Sequence, residues 1–236
     1  MVVKVGPRVR RFKLGDEVYA RPDDFRIGTF AEFVPVKETS LAPNLQKGQK
    51  VFIQAGSGGV GTFAIQLAKH LGATVATTTS VTNVALVKSL GADVVIDYRT
   101  QDFEDVLRDY DVVLNSQDGK TLAKSLRVLK RGGKLISISG PPDPEFGKES
   151  GAPRFVKIAM RLLSSGIRRK AKSRGVSYSF LFMKANGGQL REITRLIDAG
   201  LIRSVIDRVF PFESTNEAMA YVEGRRAKGK VVVKVR

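Results

Sequence analysis

The feature that most constrains this chain is a run of glycines set between a strand and a helix. Val51-Phe52-Ile53 is a short apolar strand that leads into Ala55-Gly56-Ser57-Gly58-Gly59-Val60-Gly61. Behind it, Val60, Ala64, Leu67, Ala68 and Leu71 recur at helical spacing, and Gly72 supplies a helix stop. Residues 74–79, rich in β-branched side chains, complete a strand–helix–strand unit. G-x-G-x-x-G carries little information alone, but it becomes specific in this context. Gly56 permits the tight turn, Gly58 lets a pyrophosphate approach the backbone, and Gly61 lets helix and strand pack closely. Ser57, Gly59 and Val60 complete a loop whose unpaired N–H groups, at the helix N-terminus, face an anion. The plainer alternative is a glycine-rich turn with no ligand.

The alternation continues downstream. A helix is expected at 84–90, a strand at 94–96, a helix at 103–108, a strand at 111–115, a helix at 121–129 and a strand at 134–139. Strands and helices at this spacing predict an α/β fold with a doubly wound parallel sheet, the Rossmann arrangement, covered on both faces. Beyond Pro141-Pro142 the pattern gives a helix at 154–172, an apolar strand at 176–183 and a helix at 189–199. A strand at 205–210, a helix near 216–223 and a strand at 231–235 follow. Residues 1–44 read as β-rich, with short strands at 2–5, 17–20 and 29–36 between turn signals.

The glycine loop raises the question of which dinucleotide it takes. An NAD site usually places Asp or Glu about 20 residues past the glycines, where it accepts from the ribose 2′-hydroxyl. No acidic residue stands between Thr62 and Ala92. The second strand ends instead in Thr79 and Ser80, hydroxyls that donate to a 2′-phosphate without repelling it, and Asn83, Tyr98 and Arg99 lie nearby. NADP(H) is the expected cofactor. The plainer reading leaves these hydroxyls as strand formers and Tyr98 as packing.

Other chemistries are excluded by what the sequence lacks. There is no cysteine and one histidine, His70, late in the first helix, so a zinc site is not expected and no metal is assigned. None of Tyr19, Tyr98, Tyr110, Tyr178 and Tyr221 has lysine four residues on, which excludes the Tyr-x-x-x-Lys reductases. No P-loop lysine follows the glycines. The net charge of +17 favours polyanionic partners. Between Arg154 and Arg174 stand eight basic residues and no acid, with Phe155, Ile158 and Ile167 interspersed. That segment reads either as a solvated surface or as a patch for RNA or an anionic membrane. No apolar run approaches the roughly 18 residues a membrane span needs, and the sequence opens without an apolar leader, so a soluble, cytoplasmic protein is expected.

Taken in order, these residues resemble a known family. Gly15-Asp16-Glu17-Val18-Tyr19 and Gly28-Thr29-Phe30-Ala31-Glu32 are similar to the GroES-like domain of medium-chain dehydrogenases. The glycine loop, Leu90-Gly91-Ala92-Asp93 with Asp97-Tyr98, Gly132-Gly133-Lys134, and Gly229-Lys230-Val231-Val232 resemble the zinc-independent quinone oxidoreductase and alkenal/enone reductase branch. The resemblance covers nearly the whole chain. It implies NADPH-dependent hydride transfer to a small-molecule enone or quinone. It also implies that Tyr98 and Ser80 contact the 2′-phosphate, and that Asn115, Ser139 and Gly140 lie beside the nicotinamide half. Phe180 and Phe182 would line the nicotinamide, and Arg226 would stand near the cofactor. No residue is assigned as general acid. Set against this pattern the chain is shortened at the start and between Leu41 and Lys50, and Asn83 replaces a common lysine. The implied division is a partial GroES-like β-barrel domain at 1–46, a dinucleotide-binding domain at 47–186, and a returning segment at 187–236. An incomplete barrel and the 176–183 edge strand predict a homo-oligomer. The shortening also leaves a second reading open, a non-catalytic NADP(H)-binding protein with a basic surface.

Overall fold

The structure, a computed structural model, describes residues 45–182, 187–224 and 226–235. The strands expected in 1–44 lie outside them, as does the GroES-like assignment that rests on them.

Apolar runs too short for helices and buried on both sides become the strands of a parallel sheet. β1 (Lys50–Ile53), β2 (Thr74–Thr79), β3 (Val94–Asp97), β4 (Tyr110–Asn115), β5 (Leu129–Ser137) and β6 (Ser177–Phe180) pair in the order β3-β2-β1-β4-β5-β6. Every neighbouring pair is parallel, with Val51 opposite both Val75 and Val112. This is the Rossmann order. The strands wind outward from β1 to β3, then return to the other side of β1, so a crevice opens between the C-terminal ends of β1 and β4.

The two faces of the sheet make two apolar clusters. Val51 and Ile53 point to the face covered by α1 (Gly61–His70) and α2 (Val84–Ser89), where Ala64, Ile65, Ala68 and Val87 are buried. Phe52, between them, points to the opposite face. There it meets Phe103 of α3 (Phe103–Val106) at 4.8 Å between ring centroids, along with Leu122 and Leu126 at α4 (Gly119–Ser125). Full burial of an aromatic such as Phe52 favours folding by about 3 kcal/mol on area grounds. The alternation along one strand therefore fixes which helix covers which face.

The main departures from the sequence pattern lie between β3 and β6. The helix expected at 103–108 stops at Val106, where Leu107 turns to an extended conformation (φ −94°, ψ 136°), and Asp109 then takes a left-handed φ of 60° before β4. The helix expected at 121–129 is α4, started early by Asp118, whose carboxylate accepts from the Thr121 N–H at 2.8 Å. β5 begins at Leu129 rather than Lys134, and Gly132 within it has a φ of 81°. An additional helix, α5 (Pro144–Glu149), is capped by Asp143 with proline in its first turn. The long helix expected at 154–172 is two, α6 (Arg154–Leu163) and α7 (Ser165–Ser173). They part at buried Ser164, whose hydroxyl donates back to the Met160 carbonyl at 2.8 Å.

α8 (Gly187–Asp198) precedes β7 (Ile206–Pro211), α9 (Thr215–Glu223) and β8 (Lys230–Lys234). β7 and β8 pair in parallel as a separate two-stranded sheet. This segment is tied back to the cofactor-type unit. Gln66 in α1 exchanges two hydrogen bonds with the backbone of Arg203, and the Gly229 N–H donates to the Ser57 carbonyl at 2.9 Å.

Candidate functional site

The glycine loop leaves β1 through Ala55, held in the left-handed region at φ 51°, with its N–H bonded to the Thr78 hydroxyl at 3.1 Å. The three motif glycines are needed for different reasons. A side chain at Gly56 would collide with Thr77 and with Ile65 at 2.9 Å. One at Gly61 would strike the Ala55 carbonyl and the Gly56 backbone. At Gly58 an added Cβ would meet only the Ala55 carbonyl oxygen, at 3.2 Å. Packing thus explains Gly56 and Gly61 but asks little of Gly58, which borders open space. The start of α1 has no side-chain cap and no acid in its first turn, and the N–H groups of Gly59 and Val60 are unbonded among the described residues. A loop with free amides around an open berth suits a phosphate.

A cluster of hydroxyls stands at one side of this berth. Ser57 Oγ accepts from the buried Thr79 hydroxyl at 2.9 Å and from Asn83 Nδ2 at 3.4 Å, which leaves its own O–H proton for an outside acceptor. Asn83 Nδ2 also reaches Ser80 Oγ at 3.1 Å, and Ser80 is linked to Thr82 at 3.0 Å. Asn83 Oδ1 is buried with no hydrogen-bond partner. An amide in this setting presents either its oxygen or, flipped, its NH₂ to a ligand. Tyr98 sits just past β3, its N–H bonded to the Thr79 carbonyl at 3.3 Å, its ring exposed with Arg99 5.9 Å from the centroid.

Across the crevice, at the ends of β4, β5 and β6, the polar groups bond one another. Asn115 is fully buried, donates to Gln54 Oε1 at 2.6 Å, and accepts from Ser137 at 2.8 Å and Ser139 at 3.2 Å. Gln54 in turn donates to Ser125 at 2.6 Å. The Gly140 N–H bonds to Ser137 Oγ at 2.8 Å, and a side chain there would meet the Tyr178 hydroxyl at 2.7 Å. Burial, with the nearby charge of Asp143, pushes the Tyr178 phenol well above its ordinary range, so it stays a neutral donor to the Pro141 carbonyl at 2.6 Å. Phe180 and Phe182 pack around Phe146 of α5, with centroids 5.2 and 5.5 Å from it. Arg226 is exposed in the loop before β8.

One residue that the sequence motif contains, without a role of its own, joins this group. Lys230, at the start of β8, lies with its Nζ 3.2 Å from where a Gly59 side chain would be and 5.8 Å from the Phe63 ring centroid. Burial lowers its pKa, and no described carboxylate offsets that burial. A desolvated ammonium beside free amides is a second reason to expect an anion at the loop. Its signal in the sequence was the Gly229-Lys230 pair.

A family model described as a zinc-binding dehydrogenase matches residues 90–233. Mouse (Mus musculus) mitochondrial NAD(P)H oxidoreductase RTN4IP1 is 33% identical over 277 aligned positions, covering 100% of this chain and 68% of the relative. The chain belongs to the medium-chain dehydrogenase/reductase family.

Two other members of that family extend the comparison. Arabidopsis thaliana chloroplastic NADPH-dependent alkenal/one oxidoreductase is 31% identical, covering 99% of this chain and 61% of the relative. The structure of the quinone oxidoreductase from Coxiella burnetii superposes with a TM-score of 0.70 at 30% identity, covering 84% of this chain and 56% of that one. This medium-chain dehydrogenase/reductase chain therefore spans a little over half to about two thirds of such relatives. Among the described residues no three His, Cys, Asp or Glu side chains gather, and His70 is exposed at the end of α1. Among the described residues no helix is long and apolar enough to cross a membrane.

Proposed function

We propose that this chain binds NADP(H) and acts as an oxidoreductase on an enone or a quinone. The observation that carries the reading is the open berth beside Gly58, set between the free amides of Gly59 and Val60 and a cluster in which Ser57, Thr79, Ser80 and Asn83 bond one another through hydroxyl and amide groups. On this reading the loop amides and Lys230 hold the pyrophosphate. Ser57, Thr79, Ser80, Asn83 and Tyr98 surround the 2′-phosphate. The Asn115 network fixes the strand ends where Ser139 and Gly140 meet the nicotinamide half, and Phe180 and Phe182 give that half an apolar wall, with Arg226 near the cofactor from the loop before β8. Bound NADPH supplies the hydride, and the protein's share is to bind, orient and exclude water. The division into a substrate-holding part at 1–46, a cofactor domain at 47–186 and a returning segment at 187–236 belongs to the same proposal, as does assembly through the open β6 edge. The names of the mouse and Arabidopsis relatives support an NAD(P)H-dependent oxidoreductase, and those of the Arabidopsis and Coxiella proteins support an alkenal/one or a quinone as substrate.

Fluorescence titration with NADPH and NADH, followed by NADPH consumption with a small enone and a small quinone, tests the proposal. NADPH is expected to bind at least about tenfold more tightly, the worth of one good charge-assisted contact. Equal affinities would overturn the NADP(H) assignment. Binding without consumption would favour the non-catalytic reading.

A further inference from the structure

The α6–α7 pair is assembled the wrong way round for a helix that serves the core alone. α6 has no buried residue. Half-buried Val156, Lys157 and Met160 form its inner side, with Met160 and Lys157 against Gly147 of α5. Its bulkier apolar residues face outward: Phe155 is 73% exposed, Ile158 59%, Leu162 67% and Leu163 68%. At 100° per residue, Phe155, Ile158 and Leu162 make one stripe, with Leu163 beside it. Burial in the fold is the ordinary reason for such a stripe, and here it is not buried.

Charge borders the stripe. Arg154 and Arg161 flank it on α6, and Arg168, Arg169, Lys170 and Lys172 are exposed along α7, which is anchored by buried Ala171 and by Ile167 packed on the core. No acidic residue lies between Ser150 and Arg174. None of these cations is in an ion pair with a described residue. Among the described residues the stripe and its basic border are therefore both unpartnered.

We propose that α6 and α7 dock on an anionic lipid surface, with Phe155, Ile158, Leu162 and Leu163 entering the acyl boundary and the flanking cations meeting the headgroups. Charge selects this occupant. A second copy would press two patches of the same sign together, within molecules that each carry +17. Nucleic acid would satisfy the cations but leave the aliphatic side chains in water. A bilayer edge with acidic headgroups satisfies both.

Co-sedimentation of the full chain with vesicles tests this. Roughly 30 mol % phosphatidylserine in phosphatidylcholine is expected to bind at least about tenfold more protein than phosphatidylcholine alone, since each basic residue near such a surface adds attraction. Ile158→Ser with Leu162→Ser, both in exposed positions, should cut that binding about tenfold or more while leaving the melting temperature in place. Arg168→Glu with Arg169→Glu should do the same and remove its salt sensitivity. Equal binding to both vesicle types overturns the proposal, as does binding indifferent to the serine pair. Tight capture of a single-stranded RNA oligonucleotide unaffected by the serine pair, without vesicle binding, assigns the patch to nucleic acid. A dimer that the serine pair dissolves, without vesicle binding, assigns it to a second copy.

Discussion

Gly58→Ala and Gly61→Ala add the same methyl group three positions apart and are expected to fail in different ways. At Gly61 the new Cβ would strike the Ala55 carbonyl oxygen and lie 2.6 Å from Gly56 Cα and 2.8 Å from its carbonyl carbon. These are backbone atoms, so relief requires α1 to back away from β1. Overpacking costs about 1–3 kcal/mol, and a rigid obstacle puts this case near the top of that range. For a chain of this size the melting temperature should fall by roughly 6–12 °C. At Gly58 the only neighbour is the Ala55 oxygen at 3.2 Å, and the backbone there is not in the left-handed region. Alanine also narrows the unfolded ensemble, so stability should change by less than about 1 kcal/mol. What the methyl removes is room for the phosphates. Loss of one charge-assisted hydrogen bond, about 1.5–3 kcal/mol, weakens NADPH binding about ten- to a hundredfold. Thermal melts without ligand and a fluorescence titration with NADPH separate the two effects. If Gly58→Ala melts as low as Gly61→Ala, or binds NADPH like the wild type, the steric division of labour is wrong.

Three further outcomes are expected. Asn83→Asp puts a carboxylate among Ser57, Thr79 and Ser80 and should lower NADPH affinity at least about tenfold while sparing NADH; the ratio of the two dissociation constants reads it. Asn115→Ala strips Gln54 of a donor and Ser137 of an acceptor inside the protein, and should cost about 2–3 kcal/mol in urea unfolding; a loss well below that would mean that the network repairs itself. Burial alone would raise the pKa of Asp111, but hydrogen bonds from Lys130 and the Lys50 N–H, with the charges of both lysines, outweigh it and hold the carboxyl below its ordinary 3.8. A carboxyl depressed in the fold stabilises above its unfolded value, and that stabilisation is lost as pH falls through the depressed one. Asp111→Asn should therefore lower stability at neutral pH and flatten its decline below 3.8, measured by denaturant titration at several pH values.

The sheet was readable because its signal is local. Each strand is a short apolar run followed by an amphipathic helix, and the six-strand order follows from the chain reversal at β1. The residues proposed for the adenosine side were equally plain as positions, since Gly56 to Gly61, Thr79, Ser80 and Asn83 lie on two consecutive strand ends. Elements decided by single side chains were harder to see. Ser164 divides α6 from α7 by bonding back to Met160, and a hydroxyl in a helical pattern does not announce a break. Asp143-Pro144 did carry a helix-start signal, yet the preceding prolines obscured it. Lys230 escaped because its position depends on β8 returning to the glycine loop, a long-range contact that no periodicity encodes. The roles of Asn115 and Ser139 were legible only as positions at strand ends; their hydrogen bonds to each other and to Gln54 appear only in three dimensions.

The return of β8 to the loop sets an order of assembly. The six-stranded sheet is closed by Phe180, but the Gly229 N–H to Ser57 bond and the Lys230 ammonium arrive only when the segment after it has folded onto α1. During synthesis, the parallel sheet would stand for a time with its anion berth formed on one side only. A nascent chain in that state has the shape of the site without its grip, so cofactor would be retained by finished molecules and passed over by incomplete ones. On the proposed function, the late β-strand completes the berth, so NADPH would stabilise the finished chain in preference to an incomplete one.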